Sequence, residues 1–77
     1  MLSKQKHMIK KGTNVKWTWG NGTATGKVEE TYTKKVTKTI KGSVVVRNGE
    51  SGNKALYIKQ EDGDYVLKSE SEVERVD

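Results

Sequence analysis

Residues 12–30 read Gly-Thr-Asn-Val-Lys-Trp-Thr-Trp-Gly-Asn-Gly-Thr-Ala-Thr-Gly-Lys-Val-Glu-Glu, and this stretch decides the fold of the 77-residue chain. Val15, Trp17 and Trp19 stand at every second position, with polar residues between them. Such alternation is typical of a β-strand that buries one face. Because Gly20-Asn21-Gly22 follows directly, the stretch predicts a tight β-hairpin.

The rest of the chain predicts four more strands, at 23–34, 37–48, 54–60 and 65–68. Gly26 lies inside the second strand, where a glycine marks a bulge or a close backbone approach. In the third strand, the side chains of Ile40, Val44 and Val46 are expected to share the buried face, with Val45 pointing outward. The sequence therefore predicts an all-β domain of five strands.

Two local signals complete the predicted architecture. Asp62-Gly63 predicts a type I′ turn between the last two strands. Ser69, with Glu72 three residues later, resembles a helix cap, and Val73 and Val76 follow at helical spacing. We therefore expect one helical turn near the C-terminus that closes an open end of a barrel with its two valines.

The composition limits the class of protein. No apolar run is long enough to span a bilayer, and a cytoplasmic location is the expectation. The chain has no cysteine, and its one histidine, His7, lies in the polar segment 1–8, which is predicted to be a disordered tail before a single domain at 9–77. We therefore expect no metal and no cofactor.

Charge is divided unevenly along the chain. Residues 1–47 hold eleven Lys and Arg against two Glu, a net charge of +9, whereas residues 48–77 hold four against eight acids, a net charge of −4. The asymmetry indicates either a surface for an anionic partner or an acidic C-terminal part that folds back against the basic one.

Four segments together resemble the hypervirulence-associated Tudor-domain family, a group of short, mostly bacterial proteins of unknown function. They are the Gly-x-x-Val-x-Trp opening at 12–17, the glycine turn at 20–22, the Gly-Lys-Val step at 26–28 and the Leu-Tyr-Ile-Lys strand at 56–59. The resemblance implies a Tudor-like barrel of the Src-homology-3 (SH3-like) type over about residues 9–76.

Aromatic and basic residues are the candidates for ligand contact. Core packing is the expectation for both tryptophans, although Trp19, beside the turn, is the better ligand candidate. Tyr57 is out of phase with Leu56 and Ile58, so it is expected to face outward, whereas Tyr32 and Tyr65 are expected to be mostly buried. The predicted contacts are Trp19, Tyr57, Lys16, Lys34, Lys35, Lys38 and Arg47, drawn from a wider set of early cations that also includes Lys27 and Lys41.

The sequence predicts a binding module and not an enzyme, because one histidine and scattered acids do not supply a nucleophile, a base and an orienting group. One hypothesis is contact with nucleic acid or another anionic partner through the basic early strands. The alternative is a protein-interaction domain in which Trp19, Tyr32 and Tyr57 hold a peptide or a methylated side chain. Lysines around these rings would favour nucleic acid, and an acid beside them would favour a cation.

Overall fold

The computed structural model describes residues 9–76, which form seven β-strands, one short 3₁₀ turn and no α-helix. The predicted tail at 1–8, with His7, lies outside the described residues. The elements are β1 (Asn14–Trp19), β2 (Gly22–Tyr32), β3 (Lys35–Ile40), β4 (Ser43–Asn48), β5 (Ala55–Gln60), β6 (Tyr65–Ser69), the 3₁₀ turn (Glu70–Glu72) and β7 (Glu74–Arg75).

Two antiparallel sheets build the domain. Five strands form one sheet in the order β6-β5-β2-β1-β7, and β3 and β4 form a separate hairpin. The all-β class is confirmed, but the prediction of a closed five-stranded barrel is wrong. The two edge strands, β6 and β7, are joined by the 3₁₀ turn and not by a hydrogen-bonded ladder, and β7 pairs only with Val15 and Lys16. The sheet therefore stays open.

The predicted third strand at 37–48 is two strands, because the chain reverses at Lys41-Gly42. Ile40 pairs with Ser43, and both turn residues have positive φ, +52° at Lys41 and +80° at Gly42. A two-residue turn with both φ values positive matches the twist of the flanking strands. Lysine seldom adopts positive φ, so the sequence does not announce this turn.

The reversal changes which valines of β4 are buried. Val45 packs inward, whereas Val44 is 68% exposed and Val46 is 40% exposed, the opposite of the predicted orientation. The turn at Asp62-Gly63 is not of the predicted type I′, which requires positive φ at both central residues. Among the residues described, Lys41 is the only one other than glycine with positive φ, so φ is negative at Asp62.

Each face of the five-stranded sheet carries one hydrophobic cluster. The first face carries Ile9, Val15, Trp17, Val28, Leu56, Ile58 and Val73. On the second face, the β3–β4 hairpin packs over β5 and β6 around Val36, Ala55 and Leu67, with Tyr32, Ile40, Val45 and Tyr57 half-buried beside them. The hairpin covers only this part of the second face.

A β-bulge allows β2 to contribute to both clusters. Val28 pairs with Ile58 on the first face, but two residues later Glu30 pairs with Tyr57 on the second face. The register shift between Val28 and Glu30 inserts one extra residue, Glu29, which reverses the facing of every later side chain in the strand. Tyr32 therefore joins the second cluster.

Gly26 allows β2 and β5 to approach closely, as the sequence predicts. It pairs with Gln60 and is buried. A Cβ atom at this position would lie 2.6 Å from Ile58 Cγ2 and 2.7 Å from the Lys59 carbonyl oxygen, both well inside van der Waals contact. Only glycine fits without displacing the backbone of β5.

The C-terminal cap forms, but the predicted helical turn that closes a barrel with two valines does not. The Glu72 carboxylate accepts a 2.7 Å hydrogen bond from the Ser69 N–H, as the capping signal predicts. Only three residues, however, form the 3₁₀ turn, after which the chain extends into β7. Val73 is therefore buried in the first cluster, whereas Val76 is 41% exposed.

Trp19 is 65% exposed, so the expectation that both tryptophans pack in the core holds only for Trp17. Trp19 pairs with Gly22 at the end of the β1–β2 ladder, and Trp17 pairs with Ala24 one step inward. Both rings are on the first face, but the cluster ends at Trp17 and Ala24. Trp19 projects beyond it.

We predict that Gly26→Ala destabilises the domain by about 1–3 kcal/mol, because the added methyl overpacks the β2–β5 contact. Urea unfolding followed by tryptophan fluorescence measures this loss. The matched control is Gly22→Ala, where a Cβ meets no atom within 4 Å. Equal stability for the two variants would show that the approach at Gly26 is not a constraint.

Candidate functional site

The uncovered part of the second face is an exposed, basic surface that we call the open face. Cross-strand partners share a face, and alternate residues of β1, β2 and β5 point to this side. Its side chains are Asn14, Lys16 and Thr18 of β1, Thr23, Thr25 and Lys27 of β2, and Lys59 of β5, and all are exposed. Three lysines on three adjacent strands thus stand among small polar residues.

Two of these lysines oppose each other. Lys27 pairs directly with Lys59 across the β2–β5 ladder. Like charges at directly opposed positions repel and destabilise a sheet. Within residues 9–76, neither lysine has an acidic group within ion-pair distance. In this part of the chain, two neighbouring positive charges are therefore left without an acidic partner.

The acidic C-terminal segment neutralises other cations. Glu70 contacts Lys54 Nζ at 3.9 Å, Glu72 contacts Arg47 Nε at 2.9 Å, and Glu74 contacts Lys16 Nζ at 3.9 Å. These contacts correspond to the second interpretation of the charge asymmetry, in which the acidic part folds back against the basic part. The Lys16–Glu74 pair is exposed and long, so it contributes little stability and leaves Lys16 accessible.

Glu72 is the best-connected of these acids. Partial burial is the largest single influence and would raise the pKa of Glu72. The hydrogen bonds from Arg47 and the Ser69 N–H, together with the Arg47 charge, outweigh it, so the pKa of Glu72 is lowered from its ordinary value of 4.5. Arg47 is thereby committed to a structural ion pair between β4 and the 3₁₀ turn.

Three tyrosines, Tyr32, Tyr57 and Tyr65, lie beside the open face next to the β3–β4 hairpin, and we call them the ring column. Tyr57 and Tyr65 stack with centroids 4.6 Å apart and ring planes at 13°. The Lys38 ammonium lies 4.6 Å from the Tyr57 centroid and 5.3 Å from the Tyr32 centroid. Tyr57 therefore contacts both the Lys38 ammonium and the Tyr65 ring, and Tyr65 is half-buried.

Charges of both signs surround these rings. Lys59 pairs directly with Tyr65, beside the column and on the open face. Glu30 pairs with Tyr57, and its carboxylate contacts Lys11 Nζ at 3.6 Å. Asp64, the residue before Tyr65, contacts Lys41 Nζ at 2.6 Å, and this hydrogen bond raises the pKa of Lys41. The acids near the rings are thus paired with lysines, whereas Lys59 is not paired with an acid in the part of the chain described.

The structure brings together some of the residues predicted as ligand contacts and separates others. Lys16 is on the open face, and Tyr57 and Lys38 are in the ring column. Tyr57 lies on the opposite face from Leu56 and Ile58, as expected, but the hairpin leaves it half-buried. The remaining predicted contacts are elsewhere, and they are Trp19 on the first face, Lys34 in the β2–β3 connection, Lys35 on the outer side of the hairpin and Arg47 in its ion pair.

The sequence analysis placed Lys27 in the wider set of early cations but did not include Lys59 or Tyr65 among the candidate contacts. The alternation of β5 does place Lys59 on the same side as Tyr57. The opposition of Lys27 to Lys59, however, depends on the β2–β5 register, which pairs residues 32 positions apart in sequence. No local signal reports that register.

A groove of about 350 Å³ lies between β1 and the C-terminal segment. Lys16 and Thr18 form one wall, and Glu72 and Glu74 form the other. The groove carries both lysine and glutamate side chains, so its charge does not favour an anion. The described residues contain no group of three His, Cys, Asp or Glu side chains able to hold a metal ion. Over the same residues, no helix is long and apolar enough to cross a membrane.

An open five-stranded β-sheet with a small hairpin packed on it is consistent with a Tudor-like domain. The family model for the TUDOR domain of hypervirulence-associated proteins matches residues 12–73, which is most of the chain. The protein therefore belongs to the hypervirulence-associated Tudor-domain family, as the resemblance of its motifs indicates. No curated protein and no solved structure matches the chain significantly.

We predict that Lys27→Gln stabilises the domain by about 0.2–1 kcal/mol, because it removes the repulsion from Lys59. The gain should shrink as salt screens the two ammonium groups. Urea unfolding at low and high salt measures both effects. Lys35→Gln is the matched control, since Lys35 is exposed opposite the uncharged Asn48. A loss of stability in Lys27→Gln would contradict the repulsion.

The lowered pKa of Glu72 predicts a pH dependence of stability. Its carboxylate favours the folded state above the ordinary pKa of 4.5, and this contribution disappears as the pH falls through the lower pKa of the folded protein. The free energy of unfolding of Glu72→Gln should therefore fall below that of the wild type at neutral pH and approach it in acid. Glu61→Gln, in an exposed turn, is the control. A constant difference at every pH would refute the linkage.

Proposed function

We propose that this protein is a non-enzymatic binding module whose open face contacts nucleic acid. The observation that carries the proposal is the Lys27–Lys59 pair, two opposed ammonium groups that have no acidic partner among the residues described. A polyanion laid across β2 and β5 would convert their repulsion into two favourable contacts and would release counterions. Lys16, on the next strand, adds a third contact.

The chemistry of the surface supports a polyanion over a small anion. The lysines are on successive strands about 4.8 Å apart, with threonines and an asparagine between them. Hydroxyl and amide groups donate hydrogen bonds to phosphate oxygens without specifying a base. The groove beside Lys16 and Thr18 also carries Glu72 and Glu74, which disfavours a small anion there, whereas the exposed lysines suit a backbone that runs across the strands.

A second candidate function is recognition of a methylated side chain by Tyr32 and Tyr57. These rings flank a cation, the Lys38 ammonium, at distances of a favourable cation–π contact. An external cation has to displace Lys38 to reach them. Trp19 is on the first face and takes no part in the ring column. Family membership is consistent with either function, because Tudor domains in general bind proteins or nucleic acids without catalysis.

The test is an amide chemical-shift titration with mixed oligonucleotides of about ten nucleotides at about 50 mM and about 200 mM salt. We expect shifts centred on Lys16, Lys27 and Lys59 that weaken at the higher salt. Free trimethyllysine is added in a parallel titration, where shifts at Tyr32 and Tyr57 would favour the second candidate. The absence of any oligonucleotide-induced shift at the lower salt would refute the first proposal.

A further inference from the structure

We infer that the open face is selective for single-stranded nucleic acid, with the phosphates on the three lysines and a base stacked on Tyr65. The inference rests on the proposed function and goes beyond it in naming the form of the ligand. It is carried by the order of groups across the sheet. Lys16 on β1, Lys27 on β2, Lys59 on β5 and Tyr65 on β6 follow one another on four adjacent strands.

Lys59 and Tyr65 link the charged part of the surface to its aromatic border. The two residues pair directly across the β5–β6 ladder, so an ammonium group stands next to a ring on the same face. A nucleotide offers a phosphate and a base at neighbouring positions. One nucleotide can therefore contact Lys59 with its phosphate and Tyr65 with its base, while the chain continues over Lys27 and Lys16.

Tyr65 is the ring in the column that we assign to the base. The Tyr57 ring contacts both the Lys38 ammonium and the Tyr65 ring, whereas Tyr65 is half-buried and has Tyr57 as its aromatic contact among the residues described. Stacking on Tyr57 also holds the Tyr65 ring in place, so a base would stack on an ordered platform. Base stacking on an aromatic side chain is tolerant of sequence, because each base has a π-face.

A duplex would lose this contact. Its bases are already stacked and paired inside the helix, so it offers the sheet its phosphates but no free base face. The hairpin packed over β5 and β6 also rises beside the rings, at one side of the open face.

The contact between Lys16 and Glu74 competes only weakly with a bound phosphate. Lys16 gives up only a long, exposed contact with Glu74 when it binds a phosphate. With three phosphate contacts, a single strand should show a log–log salt slope of about −2. Lys27→Gln/Lys59→Gln should reduce that slope to about −0.7, because one contact remains.

Fluorescence anisotropy with labelled oligonucleotides of about ten nucleotides tests the inference, using single-stranded DNA, single-stranded RNA and a DNA duplex of the same sequence. We expect both single strands to bind more tightly than the duplex at about 50 mM salt. Tyr65→Leu should weaken single-strand binding by about 5- to 100-fold and leave duplex binding unchanged. Tyr65→Phe, which keeps the ring, should bind as the wild type does.

Lys34→Gln/Lys35→Gln is the matched control for charge, since it removes two positive charges outside the open face. The circular dichroism spectrum of each variant verifies folding. Equal binding of duplex and single strand, weakened by Lys27→Gln/Lys59→Gln but not by Tyr65→Leu, would overturn this inference while the proposed function stands. No binding of any oligonucleotide at the lower salt would overturn both, as would tighter binding of an acidic peptide than of every oligonucleotide.

Discussion

The close contact between β2 and β5 is the constraint on which the rest of the structure depends. Gly26 allows the two backbones to approach, and the bulge at Glu29 then turns the remainder of β2 to the other side of the sheet. Without the approach, Ile58 and Val28 would not meet in the first cluster. Without the bulge, Tyr32 would not reach the second. One strand thus holds both hydrophobic clusters of a very small domain.

The same contact creates the candidate site. Placing Gly26 against Gln60 sets the register that places Lys27 against Lys59. A one-residue slip of β5 would turn Lys59 toward the first cluster, where an ammonium group has no partner, and would turn Ile58 out of it. Burial of Val28 and Ile58 therefore enforces the repulsive pair on the opposite face, and the hydrophobic contribution to folding exceeds the modest cost of two exposed like charges.

The C-terminal segment determines which cations stay accessible. Its glutamates contact Lys54, Arg47 and Lys16, one from each of three different parts of the chain. Net charge along the sequence consequently overstates the basic surface, because part of the positive charge of the first half is neutralised in the folded state. Among the described residues, the lysines without an acidic partner include Lys27 and Lys59 on the open face and others, such as Lys34 and Lys35, outside it.

Local patterning by itself determined the all-β class, the β1–β2 hairpin, the special role of Gly26, the Ser69–Glu72 cap and, with the motif resemblance, the family. These features rest on alternation and on residues within a few positions of each other. The tertiary structure alone decided that the sheet stays open, that Lys41-Gly42 reverses the chain, that Trp19 is exposed and that Lys27, Lys59 and Tyr65 lie together. The physical reason is that strand register and sheet closure depend on contacts between residues far apart in sequence, and neighbouring residues carry no signal of those contacts.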